Sequence, residues 1–273
     1  MNKPQLAYRA SISGHTKLLV ILAHPVEHVR TPSAMNAHFA ATSGDAVLVP
    51  MQVRPEDLAD TVAVLRRVEN LAGIVVTIPH KEKMVALCDE LTEAARLVGA
   101  VNVIRRKADG RLVGGQFDGE GFCAGLRAAG HEIRGRKVWM IGAGGAAAGI
   151  AYALLRQKVA QLTLYNRTKI RAETLATRLR EAVPGAKVTI GRDDPSGHDI
   201  VINGTSLGLN PTDALPVSPS LLKPDMLVAE VVMQPDVTKF LEMAKLHGCN
   251  THRGLPMLLE QIPVLAEFIM KTD

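Results

Sequence analysis

The chain has 273 residues, 47% of them hydrophobic, with 32 Lys and Arg against 27 Asp and Glu, a formal net charge of +5. That length buries a substantial core and suits two modest domains. With aromatic residues at 3% and no Lys/Arg run of five, the basic excess fits a small phosphorylated ligand, and no nucleic-acid partner is expected. No apolar run approaches the roughly 18 residues of a membrane span, so no membrane partner is expected, and the opening MNKPQLAYRA lacks the basic start and apolar core of a secretory signal. A cytoplasmic protein follows, and Cys88, Cys123 and Cys249, without metal-type spacing, indicate neither disulfide nor metal.

In chain order, the apolar runs KLLVILA, AVLVPMQV and LAGIVVTIP alternate with helical patterns such as RPEDLADTVAVLRRVEN, the spacing of βαβ units with parallel pairing. Thr31 and Pro32 suit the cap and first residue of a helix over SAMNAHFAATSG. Ile74 to Ile78 reads as a strand covered on both faces; Pro79 stops it and delivers His80 and Lys81. Lys81 falls near the start of the next helix, where the positive dipole end disfavours a cation, so its placement suggests a use. A solvated helix-start lysine is the plain alternative. After VNVIRR, the ADG turn and RLVGG form a hairpin that breaks the alternation, and a domain change is expected near Phe117, dividing the chain into 1–117 and 118–253. A second alternating series follows: KVWMIG, QLTLYN, AKVTI, DIVING and MLVAEVV.

KVWMIGAGGAAAGIAYALL places a strand before Gly142-Ala143-Gly144-Gly145-Ala146-Ala147 and a small-residue helix after it. In that context the glycines admit a pyrophosphate and the helix offers free N–H groups, a dinucleotide-binding pattern. Roughly 20 positions on, NAD-binding versions carry an acidic residue for the ribose hydroxyl. Here the chain reads Asn166-Arg167-Thr168, with Lys169 and Arg171 beyond. Guanidinium and hydroxyl groups suit a 2′-phosphate, which favours NADP, with NAD possible. Basic residues opening an exposed helix would look the same.

In order, VVTIPHKE, GAVNVI, FDGEG, IGAGG, YNRT, INGTSLG and GLPMLLEQ resemble the shikimate dehydrogenase family over nearly the whole chain. The resemblance implies an α/β fold: an N-terminal α/β substrate domain completed by a C-terminal helix over 254–273, a Rossmann NADP domain, and an active site in the cleft between them. It implies reversible NADP-dependent reduction of 3-dehydroshikimate to shikimate, or action on a related cyclic hydroxy acid, by a monomer or homodimer. The family's catalytic lysine falls on Lys81 and its aspartate on Asp118, which residue chemistry alone would read as a helix cap. Substrate contacts fall on Thr77, Asn102 and Gln261, and walls of the nicotinamide site on Thr205, Ser206, Leu207, Val231 and Gly254. His80 is a rival base by chemistry but stands where the family has no catalytic role.

The chain also departs from the family. Two serines that hold the substrate carboxylate fall on Val29 and Thr31, and polar positions nearby fall on Val75, Phe117 and Met233. Losing a hydrogen bond to a charged group costs roughly 1.5–3 kcal/mol. Arg30 is a candidate replacement partner. The changes lead to the expectation of a pocket altered for another ligand, such as quinate or a different alcohol; a non-catalytic NADP-binding sensor is the competing alternative.

Overall fold

A computed structural model describes residues 12–271, so the opening decapeptide read above lies outside the described residues. β1 (Lys17–Ala23) buries its last five residues, as expected of an apolar run covered on both faces, and pairs in parallel with β2 (Ala46–Gln52) and β3 (Leu71–Val76). α1 (Thr31–Ala41) and α2 (Leu58–Leu65) make the crossovers. Beyond β3 come β4 (Glu90–Leu91), α3 (Glu93–Val98), β5 (Val103–Arg106) and β6 (Leu112–Gly115). The sheet order is β2-β1-β3-β5-β6-β4.

The expected hairpin makes this sheet mixed: β5 runs antiparallel to β6 across the short turn at Asp109-Gly110, with Gly110 at φ 86°, and β5 is also antiparallel to β3. Other local expectations need correction. β3 begins at Leu71 and ends at Val76, before Thr77 and Ile78. Thr31 is the first helical residue of α1 and Pro32 the second; the cap position is Arg30, without a side-chain cap bond. Lys81 lies in a turn ahead of a five-residue 3-10 helix, Lys83–Leu87, not at the mouth of an α-helix. The helix-dipole argument therefore loses its basis, and the setting of Lys81 rests on its charge partner.

α4 (Asp118–Ala128) leads to the second sheet, built from β7 (Lys137–Ile141), α5 (Gly145–Arg156), β8 (Gln161–Tyr165), α6 (Lys169–Ala182), β9 (Val188–Ile190), β10 (Ile200–Asn203), β11 (Leu227–Glu230), α7 (Lys239–Leu246) and β12 (Asn250–His252). All its pairings are parallel, in the order β12-β11-β10-β7-β8-β9. Strand order reverses at β7, the place where open α/β sheets form a binding crevice. α8 (Leu255–Met270) then returns to the first sheet, burying Leu258, Ile262, Leu265 and Ile269 against Leu19, Ile21, Met35 and Phe39. It is shorter than expected, with Gly254 as its cap. Among the described residues no helix is long and apolar enough to cross a membrane.

α4 joins the two sheets through backbone contact. A Cβ on Gly119 would lie 2.1 Å from the Gly149 carbonyl oxygen of α5, and one on Gly121 would lie 2.5 Å from the Met257 oxygen of α8. Any larger residue would push one of these helices away. The close approach holds the first residue of α4, Asp118, at the seam between the sheets.

Candidate active site

Asp118 is the centre of the site. Its Oδ2 accepts from Lys81 Nζ at 2.5 Å, and their side chains are only 4% and 12% exposed. Its Oδ1 accepts from Asn102 Nδ2 at 3.0 Å and from Gln261 Nε2 at 3.3 Å. Asn102 is fixed in turn by the Phe117 N–H, which donates to its Oδ1 at 2.9 Å. The structure thus brings together Lys81, Asn102, Asp118 and Gln261 from the turn after β3, the residue before β5, α4 and α8. A buried carboxylate is costly unless both oxygens are satisfied; here the ammonium and two amides satisfy them. Thr77 follows β3 and donates its N–H to Leu22, which leaves it three residues from His80 on the same turn.

His80 turns away from this cluster. It is fully buried, with Nε2 2.9 Å from the Val53 carbonyl oxygen, and burial holds its pKa below the ordinary histidine value. That removes it as an accessible rival to Lys81.

The glycine-rich turn approaches the same turn from the other sheet. A Cβ on Gly145 would lie 3.0 Å from Lys81 Cβ. Gly142 sits at φ 119°, where a side chain is strained, and a Cβ there would lie 2.9 Å from the Gly204 oxygen. Gly144 caps α5 and has no atom closer than 4.0 Å to where its Cβ would be, so the cradle stays open above the first turn of a twelve-residue helix. These features fit a dinucleotide pyrophosphate. Ala143 and Ala146 are half-buried in this turn, and Asn166, Arg167 and Thr168 follow β8. Asn166 Nδ2 donates to the Thr168 carbonyl, while Arg167 is exposed and Thr168 caps α6 without a side-chain bond. Arg171 is already engaged: its Nη2 donates to Glu82 Oε1 at 2.6 Å.

Thr205, Ser206 and Leu207 follow β10, and one side chain holds Thr205 and Leu207. Asn203 Oδ1 accepts from the Thr205 hydroxyl and N–H at 2.7 and 3.1 Å, and its Nδ2 donates to the Leu207 oxygen at 2.9 Å. Asn203 Nδ2 also lies 3.5 Å from Glu230 Oε2 at the end of β11. Glu230 is 0% exposed, its Oε1 has no hydrogen-bond partner, and burial pushes its pKa up to about 7 against the opposing pull of Thr238 and Asn203. Val231 follows it, half-buried, and a Cβ on Gly254 would meet the Val232 oxygen at 2.3 Å, so the loop after β11 and the start of α8 touch backbone to backbone.

The positions that depart from the family pattern share one setting. Val75 is buried in the cluster between the first sheet, α1 and α8, and Val29, Phe117 and Met233 pack against that cluster. Phe117 stacks at a tilt on Phe268, ring centroids 5.2 Å apart. The apolar exchanges therefore extend a single hydrophobic body. Thr31 is buried at the start of α1, whereas Arg30 is exposed.

Two family models match the chain: shikimate dehydrogenase substrate binding domain over residues 21–104, and shikimate / quinate 5-dehydrogenase over residues 126–207. A shikimate dehydrogenase (NADP(+)) from Rubrobacter xylanophilus is 41% identical over 256 residues, 92% of this chain and 89% of that protein. The chain belongs to the shikimate dehydrogenase family. Among solved structures, shikimate 5-dehydrogenase from Thermus thermophilus, in complex with NADP(H) and shikimate, aligns with a TM-score of 0.83 at 28% identity, covering 93% of this chain and 94% of that one. The ligand-free 5-ketofructose reductase of a Gluconobacter strain aligns with a TM-score of 0.81 at 33% identity over 95% of both chains.

The family resemblance and the α/β fold class are borne out. Sequence reasoning missed three members of the site. Glu82 stood in the quoted VVTIPHKE motif but drew no attention beside Lys81. Gln116 accepts from the Asp118 N–H at 2.8 Å and donates to the Gly145 oxygen at 3.4 Å, bridging the starts of α4 and α5. Glu230 lay inside an apolar strand, and an acid in such a run was the available signal.

Proposed function

We propose that this chain is an NADP-dependent oxidoreductase that interconverts 3-dehydroshikimate and shikimate, or a closely related cyclic hydroxy acid. The convergence of Lys81, Asn102 and Gln261 on Asp118, facing the glycine-rich turn, carries the proposal. Within the expected bounds 1–117 with 254–273, the described residues make up the substrate unit, and 118–253 make up the cofactor unit. The three free cysteines support a reducing compartment, the cytoplasm, for a monomer or homodimer.

NADP, when bound, supplies or accepts the hydride. In the reducing direction the Lys81 ammonium donates a hydrogen bond to the substrate carbonyl oxygen and then its proton as negative charge develops there. The amine left behind is reprotonated from solvent; in the oxidising direction the neutral amine takes the hydroxyl proton. Asp118 orients Lys81 and accepts from the substrate hydroxyl, while Asn102 and Gln261 hold the carboxylate in place. Arg167, Thr168 and Arg171 favour NADP through its 2′-phosphate, and the amides of Gly144 and Gly145 face the pyrophosphate.

A second reading keeps this chemistry and changes the substrate. The carboxylate seat holds Val29 and one hydroxyl, Thr31, and the 5-ketofructose reductase that this chain resembles is named for a ketose without a carboxylate. Purified protein supplied with shikimate, quinate or 5-ketofructose, each with the matching NADP or NAD form, tests both through the absorbance of reduced nicotinamide. Lysine-dependent turnover of shikimate with NADP supports the first reading. Turnover confined to the ketose supports the second. Activity undiminished in Lys81→Ala sinks the assignment of Lys81.

A further inference from the structure

Neighbouring residues of one turn face opposite ways. Lys81 points to Asp118 across the catalytic seam, and Glu82 points to α6, where its Oε1 accepts from Arg171 Nη2 at 2.6 Å. Both partners are about half-exposed, at 51% and 50%. The same Glu82 oxygen is the atom found 4.0 Å from the place a Cβ on Gly144 would occupy. A carboxylate therefore stands at the open face of the glycine-rich turn, above the N-terminal end of α5, holding a guanidinium that the cofactor needs.

α6 also grips the substrate side at a second point. Arg178 donates to the Val98 carbonyl oxygen at 3.1 Å, and Gly99, at φ 72°, leaves space for it: a Cβ there would lie 2.3 Å from the guanidinium. Between the two arginines lies a cavity of about 150 Å³ that includes Gly144, Gly145 and Thr174. Of these two arms, Arg171 is the one that ends on an acidic partner, and that partner's Oε1 is the atom nearest the open face at Gly144.

We infer that Glu82 is an internal competitor for the cofactor's phosphates: it holds Arg171 in the free protein and is displaced from it by the 2′-phosphate of NADP. The inference rests on the proposal of an NADP-binding enzyme. A phosphate brought to Arg171 sets a dianion beside the Glu82 carboxylate, and like charges at one guanidinium repel, so one of them leaves. NAD carries no such group and leaves the pair intact. Glu82 thereby sets part of the preference between the two cofactors. It also ties NADP binding to release of the turn that carries Lys81, since among the described residues the ion pair and the Arg178 bond to Val98 both join α6 to the substrate unit.

Calorimetric titration of NADP+ and NAD+ into the wild-type protein, Glu82→Gln, Arg171→Ala and the double variant tests this. Freeing Arg171 from an exposed ion pair should tighten NADP+ binding by roughly two- to fivefold. NAD+ binding should change less, and the gain should vanish in the Arg171→Ala background. An unchanged ratio of NADP+ to NAD+ affinity in Glu82→Gln, or a gain that persists without Arg171, overturns the inference while leaving the enzyme's cofactor assignment standing. A wild-type protein that binds neither dinucleotide overturns both.

Discussion

Replacing Glu230 by glutamine isolates the effect of one buried proton. In the folded protein burial pushes this carboxyl up to about 7 from an ordinary 4.5, against the opposing pull of Thr238 and Asn203. Below about pH 4.5 folded and unfolded chains both carry the proton. As the pH rises, the unfolded chain releases it first, so the native state loses stability through the window between the two values and the loss levels off above about pH 7. At about 1.36 kcal/mol for each tenfold difference in proton affinity, that loss comes to about 3 kcal/mol. Glutamine keeps the shape and cannot ionise. Urea unfolding should find Glu230→Gln and wild type close together near pH 4, and the variant more stable by about 3 kcal/mol near pH 8. A stability difference that is the same at both pH values would show that Glu230 does not titrate in this window, and the account of its burial would be wrong.

Asp118→Asn keeps the hydrogen-bonding shape and removes the charge, so turnover should fall by roughly a hundredfold or more while NADP+ affinity by calorimetry stays within a few-fold; a loss under tenfold would displace Asp118 from the mechanism. Gly119→Ala forces a methyl into the α5 backbone, where the gap to the Gly149 oxygen is 2.1 Å. It should cost about 1–3 kcal/mol in unfolding experiments and lower kcat by moving Asp118; a wild-type melting curve would refute the packing argument. Val29→Ser adds a hydroxyl at the proposed carboxylate seat and should lower KM for shikimate by roughly tenfold without a matching change for a neutral ketose. Equal effects on both would mean that Val29 does not face the carboxylate.

The parts of the fold carried by local pattern were legible beforehand. β1, β2 and β7 declared themselves as apolar runs, the Asp109-Gly110 turn as a hairpin, and Gly142 to Gly145 as a dinucleotide turn, because each depends on neighbours in sequence. The setting of Lys81 was legible only through the family's motif order. Asp118, its partner, comes from 37 residues further on, and no periodicity encodes such a meeting. The dipole argument failed because it assumed an α-helix where the chain makes one short 3-10 turn. Glu82 with Arg171 and Gln116 with Gly145 stayed hidden for the same reason: these contacts cross between the two sheets. The apolar exchanges at Val29, Val75, Phe117 and Met233 looked like separate losses in the sequence. Packing shows them as one change, since all four lie on the body of side chains shared with α8.

α8 also imposes an order on synthesis. Its Leu258, Ile262, Leu265 and Ile269 close the core against β1 and α1, yet the whole second sheet is translated before it. The first sheet therefore emerges from the ribosome with one apolar face covered only in part, by α1, and keeps it so until everything from Asp118 to Gly254 has been made. During that interval the second sheet, complete without α8 in its strand order, can form on its own and carry the missing helix back. A chain cut after α4 would leave the same face partly open, which makes the N-terminal half poor material for expression alone and exposes the nascent protein to chaperones on one predictable surface.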